Sequence, residues 1–261
     1  PTNLLHQPRE NPLAFFSPPA LRSSSIPFLR LSLVDTFCII LEVPMKSYTH
    51  LFFDLDGTLT DPALGITNAV MYALKKFGIP LPPREQLFPF IGPPLKDSFA
   101  VYYHLTGEAN AQAIRYYREY FRAGGMFENE VYPGIPQLLA DLKAQGHILA
   151  VASSKPEEFV QKILEHFQLA SYFSLVCGAA MDETRTEKPA VVAYALQSCG
   201  NPDTSQVLMI GDRRFDVEGA QQNGLDSLGV AFGYGGRAEL SAAGATYIAD
   251  TVDDLRRLLL G

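Results

Sequence analysis

Short apolar runs alternate with helical periodicities along most of the chain. Runs such as Leu51-Phe52-Phe53 have the length of buried strands, and apolar residues between the runs recur every three or four positions. The pattern predicts strands at 51–53, 147–151, 175–177, 207–210, 227–230 and 246–249, and helices at 66–77, 135–142, 159–167, 190–198, 216–223 and 252–260. Because continuous apolar strands separated by amphipathic helices favour a parallel sheet covered on both faces, we predict a doubly wound α/β fold.

Two segments depart from this rhythm. Residues 62–131 carry three helical patterns and no convincing buried strand, so we predict a helical domain inserted after the first strand, between core segments 45–61 and 132–261. Residues 1–44 hold 7 of the 19 prolines and no lysine, a composition that resists both helix and central strand. We interpret residues 1–44 as a disordered leader or a non-native extension, with a targeting peptide as the alternative.

Composition and charge exclude several classes of function. The 261 residues carry a net charge of −7, and no Lys/Arg cluster suits a nucleic acid or an anionic membrane. No apolar run approaches the length of a membrane-spanning helix, and the three cysteines show no CxxC spacing. We therefore expect a cytoplasmic protein that binds neither nucleic acid nor membrane, as a monomer or a weak homodimer.

Four polar features lie at the ends of predicted elements: three follow a predicted strand, and one precedes a predicted helix. Ligands of open parallel sheets bind beyond the carboxyl ends of the strands, so these positions are candidates for chemistry. Two carboxylates, Asp54 and Asp56, leave a buried strand together, and such a pair indicates a bound divalent cation. Each feature alone also has an ordinary structural interpretation: turn or helix-capping chemistry for the acidic and serine segments, and a solvated surface position for the lysine. The four features are Asp54-Leu55-Asp56-Gly57-Thr58, Ser153-Ser154-Lys155, Lys188-Pro189 and Gly211-Asp212-Arg213-Arg214-Phe215-Asp216.

Together these motifs resemble the haloacid dehalogenase (HAD) superfamily over nearly everything from Tyr48 to Leu260. The segment from Asp54 to Asp61 is similar to the complete phosphatase signature of that superfamily, and the insert is similar to its helical C1 cap. Segments such as Phe90 to Leu95 look most like the branch of phosphoglycolate phosphatases and 5′-nucleotidases. The resemblance therefore implies a Rossmann-like HAD core and a phosphatase acting on a small-molecule phosphate ester.

The resemblance also implies a role for each motif residue. Asp54 would be the nucleophile that forms an aspartyl-phosphate, and Asp56 would be the general acid and base. Mg²⁺ would be held by Asp54, by the backbone carbonyl of Asp56 and by Asp212. The remaining implied roles are phosphate binding by Ser153, Ser154 and Lys188, and support of Lys188 or of a water molecule by Asp216.

Substrate choice is assigned to the insert, because the core motifs contact only the phosphoryl group and the metal. Gly92 and Arg118 are the candidate substrate residues, and Tyr116, Tyr120 and Arg122 are weaker ones for which ordinary helix packing is the preferred interpretation. Two other functions stay open: a sugar phosphomutase of the same superfamily, and a catalytically silent interaction protein on this fold.

Overall fold

A six-stranded parallel sheet lies at the centre of the computed structural model, which describes residues 45–182 and 184–261. The interpretation of residues 1–44 as a leader therefore lies outside the described residues. The described residues form eight strands, of which β2 and β3 make a separate two-stranded sheet. The strands are β1 His50–Phe53, β2 Thr60–Asp61, β3 Glu130–Val131, β4 Ile148–Pro156, β5 Leu175–Ala179, β6 Val207–Gly211, β7 Asp226–Val230 and β8 Tyr247–Ala249.

Helices connect the strands and cover the sheet. The α-helices are α1 Ala63–Lys76, α2 Leu95–Tyr103, α3 Gly107–Arg122, α4 Ile135–Ala144, α5 Glu157–His166, α6 Lys188–Ser198, α7 Arg214–Gln222, α8 Gly236–Ala243 and α9 Val252–Leu260. Short 3-10 helices lie at Arg84–Phe90, Gly125–Phe127, Ala170–Tyr172 and Thr204–Gln206. No helix of the described residues is long and apolar enough to cross a membrane.

The strand order of the large sheet is β5-β4-β1-β6-β7-β8, and every neighbouring pair is parallel. The chain builds one half of the sheet outward from β1 through β4 and β5, and the other half through β6, β7 and β8. Strand β1 therefore lies where the direction of winding reverses, which is where open α/β sheets bind ligands. The predicted doubly wound α/β fold is confirmed.

Alternate residues of the central strands point to opposite faces of the sheet, as the period of two requires. Phe52 packs with residues of α6 and α7 on one face, while Leu51 and Phe53 pack with residues of α4, α5 and α9 on the other. The second cluster continues into the inserted segment, where it includes Phe99 and Phe121. A single apolar cluster thus joins the sheet to the helices above its edge.

The segment 62–131 contains α1, α2 and α3, as the three helical patterns predict. Its ends are tied together by the antiparallel pair β2 and β3, which the sequence analysis missed because each strand has only two residues. Helix α8 was also missed: Leu240 is its only buried residue, so it has no apolar periodicity to detect. The described residues belong to one compact unit, and its division into core and cap stays a prediction.

Candidate active site

The carboxyl ends of β1, β4 and β6 and the start of α6 bring the predicted core residues together. Asp54 follows β1, Ser153 lies near the end of β4, Lys188 is the first residue of α6, and Asp212 follows β6. The backbone N–H of Asp54 donates to the carbonyl of Ile210 at 2.8 Å, which extends the pairing of β1 with β6 past the end of the strand. Neighbouring parallel strands therefore deliver these side chains to one edge of the sheet.

A tight turn after β1 folds the chain over Asp212. Gly57 has φ +80°, and a Cβ at this position would lie 2.2 Å from Oδ2 of Asp212. The N–H of Gly57 donates to the carbonyl of Thr60 at 2.7 Å, which closes the turn. Only glycine combines this backbone conformation with so close an approach. The glycine of the predicted motif is therefore required by the packing of the acidic site.

Lys188 is the cation at the centre of the site. Its Nζ lies 3.1 Å from Oδ1 of Asp54 and 2.7 Å from Oδ1 of Asp216, and it donates to the carbonyl of Ala152 at 3.0 Å. Burial lowers the pKa of Lys188, but the two carboxylates outweigh this effect and raise the pKa above its usual value. Lys188 is therefore a fixed positive charge beside the predicted nucleophile.

Three buried carboxylates face one another next to Lys188. One oxygen from each of Asp54, Asp212 and Asp216 lies within 4.8 Å of the others. Asp216 accepts from the backbone N–H of Arg213 at 3.0 Å through Oδ2. Its buried Oδ1 makes no hydrogen bond among the described residues but forms an ion pair with Lys188 at 2.7 Å. Asp212 accepts from the N–H of Tyr234 at 2.7 Å through Oδ2, whereas its buried Oδ1 has no hydrogen-bond partner among the described residues.

The environment of Asp212 fits a bound divalent cation. Burial is the largest cause that raises the pKa of Asp212, and the neighbouring charges of Asp216 and Asp54 raise it further. An unpartnered carboxylate oxygen beside two other acids is costly unless a cation compensates it. Oxygen ligands of this kind are what Mg²⁺ prefers. Asp54 and Asp212 are therefore suitable ligands, while Asp216 lies beside them and holds Lys188.

Asp56 lies in different surroundings from Asp54, although only one residue separates the two. Its Oδ1 lies 2.7 Å from Nζ of Lys155, and both side chains are nearly buried. Burial raises the pKa of Asp56, and this effect exceeds the opposing effect of the Lys155 charge. A carboxyl group with a raised pKa is suited to give a proton to a leaving group.

The end of β4 supplies the two serines and Lys155. Ser153 is buried, and its Oγ accepts from the backbone N–H of Lys155 at 3.3 Å. The register of β4 against β5 shifts between Ala152 and Pro156, so the strand is irregular where it reaches the site. Ser154 and Lys155 line a cavity between the core and the inserted segment. Lys155 belongs to a candidate segment of the sequence, but no role was predicted for it; its position directly after the serine pair was the available signal.

A cavity of about 280 Å³ lies between these core residues and the inserted segment. Asp56, Ser154 and Lys155 lie on the core side, and both predicted substrate residues, Gly92 and Arg118, line it from the insert. The insert also contributes the apolar or aromatic side chains of Ile66, Phe90, Leu95, Ile114, Tyr117 and Phe121.

One face of α3 is turned toward the cavity. Ile114, Tyr117 and Phe121 recur at helical spacing along it, with Tyr117 stacked on Phe121 at 5.4 Å between ring centroids. The weaker candidates lie elsewhere: Tyr116 packs edge-on against Phe77, Tyr120 donates to Glu128, and Arg122 lies near Glu158. The preferred helix-packing interpretation thus agrees with their contacts. The apolar periodicity of α3 was the signal for Tyr117 and Phe121.

Comparisons with known proteins place the chain in a family. Residues 51–230 match the family model described as haloacid dehalogenase-like hydrolase. A 5′-nucleotidase from Pseudomonas aeruginosa is 42% identical over 212 residues, which cover 81% of this chain and 96% of that protein. A protein from Mycobacterium tuberculosis named tyrosine-protein kinase PtkA is 38% identical over 218 residues, which cover 83% and 74% respectively.

Solved structures agree with the sequence comparisons. The crystal structure of a predicted phosphatase from Clostridium acetobutylicum has a TM-score of 0.80 and 49% identity, and the match covers 82% of this chain and 99% of that one. Proteins named phosphoglycolate phosphatase are also among the relatives. The predicted resemblance is therefore confirmed: the chain belongs to the haloacid dehalogenase-like hydrolase family and is one of its phosphatases.

Proposed function

We propose that this phosphatase hydrolyses a small phosphate monoester through an aspartyl-phosphate on Asp54, with Mg²⁺ as its cofactor. The observation that carries the proposal is the contrast between two neighbouring carboxylates. Asp54 is paired with Lys188 inside the acidic cluster, whereas Asp56 is paired with Lys155 at the wall of the cavity. Environments that separate two carboxylates in this way allow one to act as nucleophile and the other as acid.

The residues that would hold Mg²⁺ are Asp54, Asp212 and the backbone carbonyl of Asp56. When bound, the cation would neutralise the negative charge that accumulates between the nucleophile and the phosphoryl oxygens. The unpartnered Oδ1 of Asp212 supports this assignment. Asp216 is not assigned as a principal ligand, because Lys188 pairs with its Oδ1 and the N–H of Arg213 donates to its Oδ2.

In the first step, a carboxylate oxygen of Asp54 attacks phosphorus as the bond from phosphorus to the ester oxygen breaks. Asp56 donates its proton to that leaving oxygen, which departs as an alcohol. Lys188, the Ser153 hydroxyl and the Ser154 N–H hold the phosphoryl oxygens and offset their charge. The product of this step is an acyl phosphate on Asp54.

In the second step, Asp56 acts as the base. It removes a proton from a water molecule that attacks phosphorus, and the bond between phosphorus and the Asp54 oxygen breaks. Inorganic phosphate leaves, and both carboxyl groups return to their starting states. Lys155 keeps the Asp56 side chain at the cavity wall between the two proton transfers.

The cavity favours a nucleoside 5′-monophosphate over a two-carbon ester such as phosphoglycolate. Its volume of about 280 Å³ and its wall of Phe90, Tyr117 and Phe121 offer apolar and aromatic surface that a small acid would leave uncovered. Arg118 supplies a charge on the same wall. The name of the Pseudomonas aeruginosa relative, 5′-nucleotidase, points the same way.

A phosphate-release screen tests the proposal. Nucleoside 5′-monophosphates, phosphoglycolate, sugar phosphates and p-nitrophenyl phosphate are offered with Mg²⁺, and each reaction is repeated with excess chelator. We expect turnover that requires Mg²⁺ and is fastest on a nucleoside monophosphate. Quenched reactions with a ³²P-labelled substrate should trap label on wild-type protein and none on Asp54→Asn. Turnover in chelator, or label trapped equally on both proteins, would contradict the mechanism.

A protein kinase is the second candidate, because the relative from Mycobacterium tuberculosis carries that name at 38% identity. Incubation with γ-labelled ATP and a tyrosine-containing peptide tests it. Labelled peptide without free phosphate would favour the kinase. Release of phosphate from esters, with an unlabelled peptide, would favour the phosphatase. Isomerised sugar phosphate would reveal a mutase, and no product in any assay would indicate a silent protein.

A further inference from the structure

Arg213 spans the gap between the acidic site and the inserted segment. It is the residue immediately after Asp212, and its backbone N–H donates to Asp216 at 3.0 Å, so its main chain is part of the site. Its side chain leaves the core and reaches the insert, where Nη1 donates to the carbonyl of Ile91 at 2.5 Å. Arg213 therefore touches the catalytic edge with its backbone and the insert with its guanidinium.

Glu239 of α8 fixes the direction of that guanidinium. Its Oε1 accepts from Nε of Arg213 at 2.9 Å, and its Oε2 lies 3.5 Å from Nη2. The same carboxylate accepts from the backbone N–H of Arg214 at 2.9 Å, which ties α8 to the start of α7. The planar fork of arginine can serve the carboxylate and the Ile91 carbonyl at once, which a lysine ammonium cannot reproduce.

The next residue of the insert, Gly92, packs closely against the side chain of Arg213. Gly92 has φ +104°, and a Cβ there would lie 3.1 Å from Cγ and 3.3 Å from Nη1 of Arg213. The aliphatic stem of Arg213 therefore lies directly against the glycine. Pro93 and Pro94 follow, and their rings fix the backbone that leads into α2. Gly92, Pro93 and Pro94 all line the cavity.

We propose that Arg213 is a positioning residue that holds the loop Ile91-Gly92-Pro93-Pro94 over the cavity and thereby sets which leaving groups the enzyme accepts. It does not contact the phosphoryl site through its side chain, so its effect falls on the part of the substrate beyond phosphorus. The inference rests on the proposed function, because the cavity must be the place where the leaving group binds.

Three variants and a matched control test the proposal. Arg213→Met keeps the aliphatic stem but removes the fork, Arg213→Lys keeps a charge, and Glu239→Gln removes the charge that directs the guanidinium. Arg214→Met is the control, because Arg214 is adjacent, exposed, and directed toward Glu218 and Phe215. Each protein is assayed for kcat and KM on a nucleoside 5′-monophosphate and on p-nitrophenyl phosphate, for inhibition by inorganic phosphate, and by thermal melting.

We expect Arg213→Met to raise the KM of the nucleotide about tenfold, which corresponds to about 1.4 kcal/mol. Its inhibition constant for inorganic phosphate, which contacts only the core, should stay within about twofold of wild type. Arg213→Lys and Glu239→Gln should show smaller shifts in the same direction, and Arg214→Met should match wild type.

Several outcomes would overturn the inference. A rise of the phosphate inhibition constant in parallel with KM would show that Arg213 supports the whole site rather than the loop. Kinetic constants equal to those of Arg214→Met would show that the contact with Ile91 has no effect. If Arg213→Met fails to fold, unchanged KM ratios in Arg213→Lys and Glu239→Gln would overturn it instead. Failure of the wild-type protein to release phosphate would contradict the proposed function.

Discussion

The core side and the insert side of the cavity differ in the residues that line them. The core side presents Asp56, Ser154 and Lys155 directly beside a buried cluster of acids around Lys188. The insert side presents the rings of Phe90, Tyr117 and Phe121, with Phe90 packed edge-on against Phe99 and Tyr117 stacked on Phe121. It also carries the charged residues Lys96, Asp97 and Arg118. In the proposed reaction, charge that develops on the phosphoryl group would be met from the core, while the insert would contact the leaving group.

This difference indicates that turnover depends on the core side and that substrate preference depends on the insert side. The core side depends on side chains placed by neighbouring parallel strands, so small displacements are resisted by the sheet. The insert side depends on helix packing and on a loop held by a few contacts such as the bond from Arg213 to the Ile91 carbonyl. We therefore expect changes on the core side to abolish turnover and changes on the insert side to redirect it.

The largest effect should come from Asp54→Asn. The amide cannot form the acyl phosphate, so we expect kcat to fall at least roughly 1,000-fold on every substrate. The thermal midpoint should stay near that of wild type, because the amide has the same shape and removes one charge from the acidic cluster. The matched control is Asp226→Asn, since Asp226 pairs with Lys46 and Tyr48 at the opposite end of β1. Turnover near wild type in Asp54→Asn would contradict the mechanism.

Asp56→Asn should have the next largest effect, and it should depend on the leaving group. Loss of a general acid costs about 100- to 10,000-fold, most for an alkoxide that needs a proton. The loss should be smaller on p-nitrophenyl phosphate, because p-nitrophenolate leaves without protonation. Rates on both substrates with wild-type and variant enzyme measure this. Equal losses on the two leaving groups would argue against Asp56 as the acid.

The sequence predicts the buried acidic site beside the cavity far better than the contacts that shape the cavity wall. Asp54, Lys188 and Asp212 each follow a strand or begin a helix, so the periodicity that defines the sheet also places them at one edge. The pairing of Asp56 with Lys155 depends on the irregular end of β4, which no periodicity encodes.

The insert shows why the rest could not be predicted. Gly92 and Arg118 were identified as candidates, but Tyr117 and Phe121 were not. The apolar periodicity of α3 places them on one face of the helix, and only the packing of α3 determines that this face meets the cavity. The contact between Arg213 and Ile91 joins residues 122 positions apart and needs Glu239 from a helix without apolar periodicity. Such long-range contacts leave no local pattern in the sequence.

Arg118→Gln should change selectivity rather than chemistry. Arg118 lines the cavity, so its loss should shift the ratio of kcat/KM between a nucleoside monophosphate and p-nitrophenyl phosphate about tenfold. The matched control is Arg115→Gln on the same helix, where the arginine pairs with Glu108 at the surface. Uniform scaling of all substrates would show that Arg118 does not contact the leaving group.

The smallest effect concerns stability and the acidic cluster. Burial and neighbouring charges raise the pKa of Asp212 in the folded state. The contribution of Asp212 to the free energy of unfolding is therefore favourable below its unfolded-state pKa of about 4, and it is lost as pH rises through its folded-state pKa. Metal-free wild type at pH 7 should therefore melt below metal-free Asp212→Asn, which cannot ionise. Bound Mg²⁺ should raise the melting temperature of wild type, by an amount equivalent to about 2.7 kcal/mol at 100 times its Kd.

Comparing wild type with Asp212→Asn distinguishes a metal site from a cluster of acids that repel one another without binding a cation. Asp212→Asn keeps an oxygen that can accept from the N–H of Tyr234, so the loop after β7 should stay in place. Its melting temperature should not respond to Mg²⁺. The higher melting temperature of Asp212→Asn relative to metal-free wild type should disappear near pH 3, below the unfolded pKa, where Asp212 is protonated in both states. Melting curves at pH 3 and pH 7, with Mg²⁺ or chelator, give all the values. An equal Mg²⁺ response in both proteins would place the cation away from Asp212.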